Sequence, residues 1–155
     1  MPSNESRRSS PRDSPTASYS YAVIRVTPRV EREEFVNAGI VLLARTRRFL
    51  QARIELDPER IRAIDPTAHV ALIERHLRTF EALAAGAPEG GPMAALPPAD
   101  RFHWLTAPRS TVIQTSAVHT GTCRDPEAAL EHLLAALVRP PTVPRGMPAA
   151  FETDA

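Results

Sequence analysis

Hydrophobic and polar positions alternate from Tyr19 to Thr27, with Ala22, Ile24 and Val26 on one side and Tyr21, Val23 and Arg25 on the other. A period of two predicts a strand with one fully apolar face. Asn37 to Ala44 is nearly continuous apolar sequence, the pattern of a strand buried on both faces. Phe49 to Leu56 alternates again, Leu50, Ala52, Ile54 and Leu56 opposing Phe49, Gln51, Arg53 and Glu55. Thr46 and Arg47 make a tight turn between these two strands, and Glu31 to Phe35 is a charged connector with room for one helical turn. Together they predict an antiparallel meander with one polar-leaning face.

Three Asp-Pro pairs follow, at Asp57, Asp65 and Asp125. Each offers a carboxylate for the N-cap and a proline at the first helical position, where its missing N–H costs nothing. The predicted helices are Pro58 to Ala63, Pro66 to Ala85 and Pro126 to Val138. The second carries Val70, Ile73, Leu77, Phe80 and Ala84 on one stripe and stops at Gly86. The third buries Leu130, Leu133, Leu134 and Leu137. Ala87 to Pro98 is a Gly/Pro-rich loop, Ala99 to Leu105 a short helical piece, and Ser110 to Thr115 a fourth strand. The expected fold class is α+β: a small, mainly antiparallel sheet of about four strands with helices packed on one face.

Composition sets the boundaries. Met1 to Ser18 is rich in Ser, Pro and Arg and nearly free of apolar residues, so residues 1–18 are expected to be a disordered segment. Pro140-Pro141 stops the last helix and leaves 140–155 as a Pro-rich flexible tail. Residues 19–139 form the single predicted domain. No stretch is apolar enough for a signal-peptide core or a spanning helix, so no membrane contact and a cytoplasmic location are expected.

All 19 basic residues are arginine. Without lysine there is no Schiff-base chemistry, no Gly-Lys-Ser/Thr phosphate loop and no kinase-type ATP lysine. The single Cys123 excludes an internal disulfide and makes no cysteine-built zinc site. His69 and His76 stand two helical turns apart, about 10 Å of rise and too far to share a metal. The sequence thus points to no cofactor and no metal. A formal charge of +1 provides no global field for nucleic acid, which argues against strong non-specific binding and leaves open a local patch of Arg45, Arg47, Arg48 and Arg53.

Chemistry-bearing side chains concentrate in Pro108 to Gly121, where Arg109, Ser110, Gln114, Ser116 and His119 lie along one strand and the loop after it. A guanidinium near hydroxyls and a glycine loop describes a phosphate pocket; an edge strand with solvated side chains is the other reading. A second cluster contains Arg25, Arg29 and Asn37; if the first and fourth strands are neighbours, its arginines meet Arg109 or His119 in one polar groove. Asn37 and Gly39 are read as positions that tolerate unusual backbone dihedrals. Phe102, His103 and Trp104 are read as packing that closes one side of the core, and Cys123 with His119 as a weakly specified nucleophile–base pair.

The strings Glu34-Phe35-Val36-Asn37-Ala38-Gly39 and Gln114-Thr115-Ser116-Ala117-Val118-His119-Thr120-Gly121, with Tyr21 to Val26 before them, resemble the bacterial domain-of-unknown-function family 3037. The likeness spans Tyr19 to Arg139. It implies no established activity; an association with operons that carry a HipA-like kinase gene implies an accessory or antitoxin-like role with that kinase as protein partner. Two functional readings follow. The first is a non-enzymatic interaction module that binds a partner through a sheet face or edge. The alternative is a phosphate-ligand or nucleic-acid binding domain, or an enzyme, using Arg29, Asn37, Arg109, Ser110, Gln114, Ser116 and His119. Whether the protein is an enzyme is open at this level.

Overall fold

The computed structural model describes residues 15–142. Its sheet is built from β1 (Ala17–Val26), β2 (Val36–Ala44), β3 (Phe49–Ile54), β4 (Ile113–Thr115) and β5 (His119–Cys123). Across the sheet the order is β3-β2-β1, and β4 and β5 both pair with the far side of β1; every pairing is antiparallel. The helices are α1 (Pro58–Ile64), α2 (Val70–Ala85), α3 (Pro98–Thr106) and α4 (Pro126–Leu137). The fold is therefore α+β with a mainly antiparallel sheet, as the patterning predicts.

Four details differ from the sequence expectation. Strand β1 begins at Ala17, two residues inside the segment expected to be disordered, because Ala17 and Ser18 pair with Cys123 and Thr122. The rest of that segment up to residue 14, and the expected tail from residue 143, lie outside the described residues. Strand β5 occupies what reads as a loop. Its residues, His-Thr-Gly-Thr-Cys, lack an apolar alternation, and main-chain pairing along β1 holds them in place.

The third difference is the placement of the helices. Ala22, Ile24, Val26, Val41 and Leu43 pack against Ile61 of α1, Ile73, Leu77 and Phe80 of α2, and Phe102 and Leu105 of α3. On the opposite face Val23, Ile40, Leu42 and Ala44 pack against Leu130, Leu133 and Leu134 of α4 and Val138. Helices cover both faces, not one. A strand apolar on both sides, as β2 is, demands cover on both sides, so the correction was implicit in Asn37 to Ala44.

The fourth concerns helix starts. Asp57 and Asp125 cap as expected, accepting from the N–H of Glu59 (3.1 Å) and Glu127 (3.0 Å). Asp65 instead closes a turn, accepting from the N–H (2.9 Å) and the hydroxyl (2.6 Å) of Thr67. The main helix starts later, at Val70, where His69 Nδ1 accepts from the N–H of Leu72 at 3.1 Å. Gly86 ends it in the left-handed region at φ 71°.

The far end of α4 is tied to β3 by a mixed-charge chain. Arg139 donates to both carboxylate oxygens of Glu55 (2.8 and 2.7 Å) and to Glu131 (2.6 Å), which also accepts from Arg53 at 2.5 Å. The Arg139 guanidinium holds both carboxyls below the usual carboxylate range.

Candidate functional site

The run from Ile113 to Cys123 lies along β1 with one irregularity. Thr115 stands opposite Ile24 and His119 opposite Tyr21, so 119 − 115 = 4 residues face 24 − 21 = 3. The extra residue is a bulge, and a bulge shifts the alternation of everything after it. Ser116 bridges the break. Its N–H donates to the Val23 carbonyl at 2.9 Å, and its hydroxyl accepts from the Val23 N–H at 2.9 Å while donating to the Ala117 carbonyl at 2.9 Å. The side chain stands in for a missing ladder carbonyl.

This role makes a measurable prediction. Ser116→Ala leaves the Val23 N–H buried without an acceptor, at a cost of about 1–3 kcal/mol. Urea denaturation should show the midpoint falling with an unchanged slope; an unchanged midpoint would mean that water or a shifted carbonyl replaces the hydroxyl.

The bulge also decides where His119 points. It stacks on Tyr21 with ring centroids 5.4 Å apart, and Tyr21 packs against the α4-side core. Arg109 sits on the other side of the sheet, lining a groove with α2 and α3 residues, its guanidinium 5.6 Å from the Trp104 ring centroid and donating to the Trp104 carbonyl. The two residues expected to share a phosphate groove are thus on opposite faces. Arg29 is engaged elsewhere: its guanidinium lies 3.5 Å from Asp65 and 3.7 Å from Glu31, and 3.4 Å from the Thr67 hydroxyl to which it donates. Asp65, only 8% exposed at its side chain, has its carboxyl held below the usual range, first by the Thr67 hydroxyl and N–H and then by Arg29.

Asn37 and Gln114 come closer together, each paired in register with Arg25 from either side of β1. Asn37 donates to the Leu137 carbonyl at the end of α4 (2.9 Å), and Arg25 lies over the Phe35 ring at 4.2 Å. Gln114 donates to the Thr111 carbonyl (2.8 Å), closing the turn before β4, and Ser110 is exposed. Neither Asn37 nor Gly39 has a positive φ; the described non-glycine residues that do are Glu33 and Arg48. Cys123 and His119 are separated by four residues of strand, about 13 Å, and burial pushes the Cys123 thiol up, away from thiolate. The two do not form a dyad. Among the described residues no group of three or more His, Cys, Asp or Glu could hold a metal ion, and no helix is long and apolar enough to cross a membrane.

Arg109 belongs instead to a concavity walled by helices that the sequence reading assigned to the core. A groove of about 530 Å3 runs between α2, α3 and residues 109–113. Leu72, Ile73, Phe80, Leu83, Trp104 and Ile113 dominate its wall, with His76, Thr79 and Arg109 as polar members. Trp104 is 46% exposed and Leu72 42%, whereas Phe102 is buried. Contrary to the expectation that it closes the core, Trp104 forms a rim. The available signal was on α2, where Leu72, His76, Thr79 and Leu83 form a second stripe at helical spacing beside the core stripe.

Comparison with curated proteins and with solved structures finds no match. A family model matches residues 21–138, from β1 to just past α4, and the chain belongs to that family, described as Protein of unknown function (DUF3037).

Proposed function

We propose that the protein is a non-enzymatic interaction module whose α2–α3 groove receives an apolar segment of a protein partner. The groove itself carries this reading: its volume is that of a ligand site, and its wall is apolar with a few polar groups. Its rim offers an exposed tryptophan with an arginine held over it, the residue types that dominate interface energetics. The dispersal of Arg29, Arg109, Ser116 and His119 over separate environments removes the geometric ground for a single phosphate-binding or catalytic groove. A HipA-like kinase, implied by the family resemblance, is the first partner to test.

The test compares tagged wild-type protein with Leu72→Glu and Trp104→Glu, purified from the native host. Both side chains are exposed, so melting temperatures should barely change. Wild type is expected to retain a stoichiometric partner, and each variant to weaken it by about thirtyfold, the equivalent of a 2 kcal/mol hot spot. Trp104 is the chain's single tryptophan, so its emission should also move to shorter wavelength in the complex. A partner retained by both variants would place the interface elsewhere.

A further inference from the structure

A second concave strip, separate from the α2–α3 groove, crosses the other end of the sheet. Ser18 and Ser20 of β1 alternate with Ala22 and Ile24 and so share their face, and they stand opposite Thr122 and Thr120 of β5. With Tyr19, Thr46 and Arg45 they line a hollow of about 480 Å3. A further hollow of about 340 Å3 shares Leu43 and Arg45 with it and is walled by Arg48 and by Pro97 to Ala99. The result is an elongated trough floored with hydroxyls and flanked by arginine.

Its charge is one-sided. Neither hollow is lined by an Asp or Glu side chain, although Asp100 follows Ala99 along α3. Arg45 and Arg48 are exposed and take part in none of the ion pairs among the described residues, which engage Arg29, Arg32, Arg53, Arg78 and Arg139. Arg53, expected in the same patch, is instead held by Glu131. Arg47, beside them, donates to the Pro15 carbonyl.

Exposed hydroxyls and unpaired guanidinium groups are the side chains that contact phosphates. The lining is concave, whereas base readout in a duplex takes an element that inserts into the groove. We infer that this trough binds the phosphodiester backbone of a single-stranded nucleic acid. The net charge of +1 supplies no general attraction, so binding depends on this local set and is salt-sensitive in proportion to it.

Fluorescence anisotropy of the full chain with a labelled polyuridine strand, roughly a dozen nucleotides long, tests this. Two arginine–phosphate contacts give a slope of log affinity against log salt of about −1.4. Arg45→Ser combined with Arg48→Gly should lower affinity by about tenfold or more and flatten that slope. Arg48 has φ 50°, which glycine adopts freely, so the melting temperature should not fall. Thr120→Val with Thr122→Val, both suited to a strand, should weaken binding several-fold and leave the slope unchanged. The control Arg62→Ser with Arg75→Ser removes the same charge from α1 and α2 and should leave binding intact. An equal loss in that control, no binding at about 100 µM protein in low salt, or uridine monophosphate competing as well as the strand would each overturn the inference.

Discussion

Gly39→Ala is expected to destabilise the domain by about 3 kcal/mol, the upper end of what overpacking costs. A Cβ built on Gly39 meets the Arg53 carbonyl oxygen at 2.5 Å, Ile54 Cδ1 at 2.7 Å and Ile24 Cδ1 at 3.3 Å. The side-chain carbons can move. The carbonyl cannot, because it belongs to β3 and β3 pairs with β2 across this position, Gly39 opposite Ile54. Strand β2 is also held on its other side, Ile24 opposite Gly39, so relief by shifting β2 would disturb two ladders at once. The glycine answers a close approach of backbone and not an unusual dihedral, since its φ is not positive. For a domain whose total stability is typically about 5–15 kcal/mol, such a loss is large. Urea denaturation of the purified variant measures it. A change below about 1 kcal/mol would mean that β3 shifts outward at little cost, against the packing described here.

Leu134→Ala is expected to cost about 2–5 kcal/mol, the range for deleting a fully buried leucine. Leu134 has no exposed surface and lies with Leu130 against Ile40 and Leu42. The apolar seam is the main attachment of α4. The Arg139, Glu55 and Glu131 chain at its end is part-exposed, with side-chain exposures of 34–46%, and pairs of that kind contribute little. Loss of the leucine leaves a cavity between helix and sheet that backbone pairing cannot close, since β2 is fixed between β1 and β3. Chemical denaturation gives the magnitude. Were the second face of the sheet solvated, with α4 only loosely attached, the change would stay within about 0.5 kcal/mol.

Much of the framework was legible along the chain because it rests on short-range rules. Period-two alternation marked β1 and β3, and a continuous apolar run marked β2. Asp57 and Asp125 capped their helices because a carboxylate two residues before an N–H needs no tertiary partner. The same rule misplaced the start of α2: Asp65 made its local bonds to Thr67, but they closed a turn, and the chain turned helical only after His69. The candidate site was legible as a list of residue types and not as a place. Arg109, Ser116 and His119 stand close in sequence, yet one lines a helix groove, one completes a strand ladder and one stacks on the opposite face.

By itself the sequence determined which segments are extended or helical, that β2 must be covered on both sides, and where two of the helices begin, because hydrophobic period and capping act over a few residues. Only the tertiary structure decided that α4 takes the second face, that polar β5 is a strand and that Leu72 and Trp104 border a groove. Each of these depends on pairing or packing between segments far apart in the chain. The single extra residue between Thr115 and His119 is the sharpest case. Nothing local marks it, because a bulge exists only relative to the strand opposite, and it alone sends His119 away from Arg109.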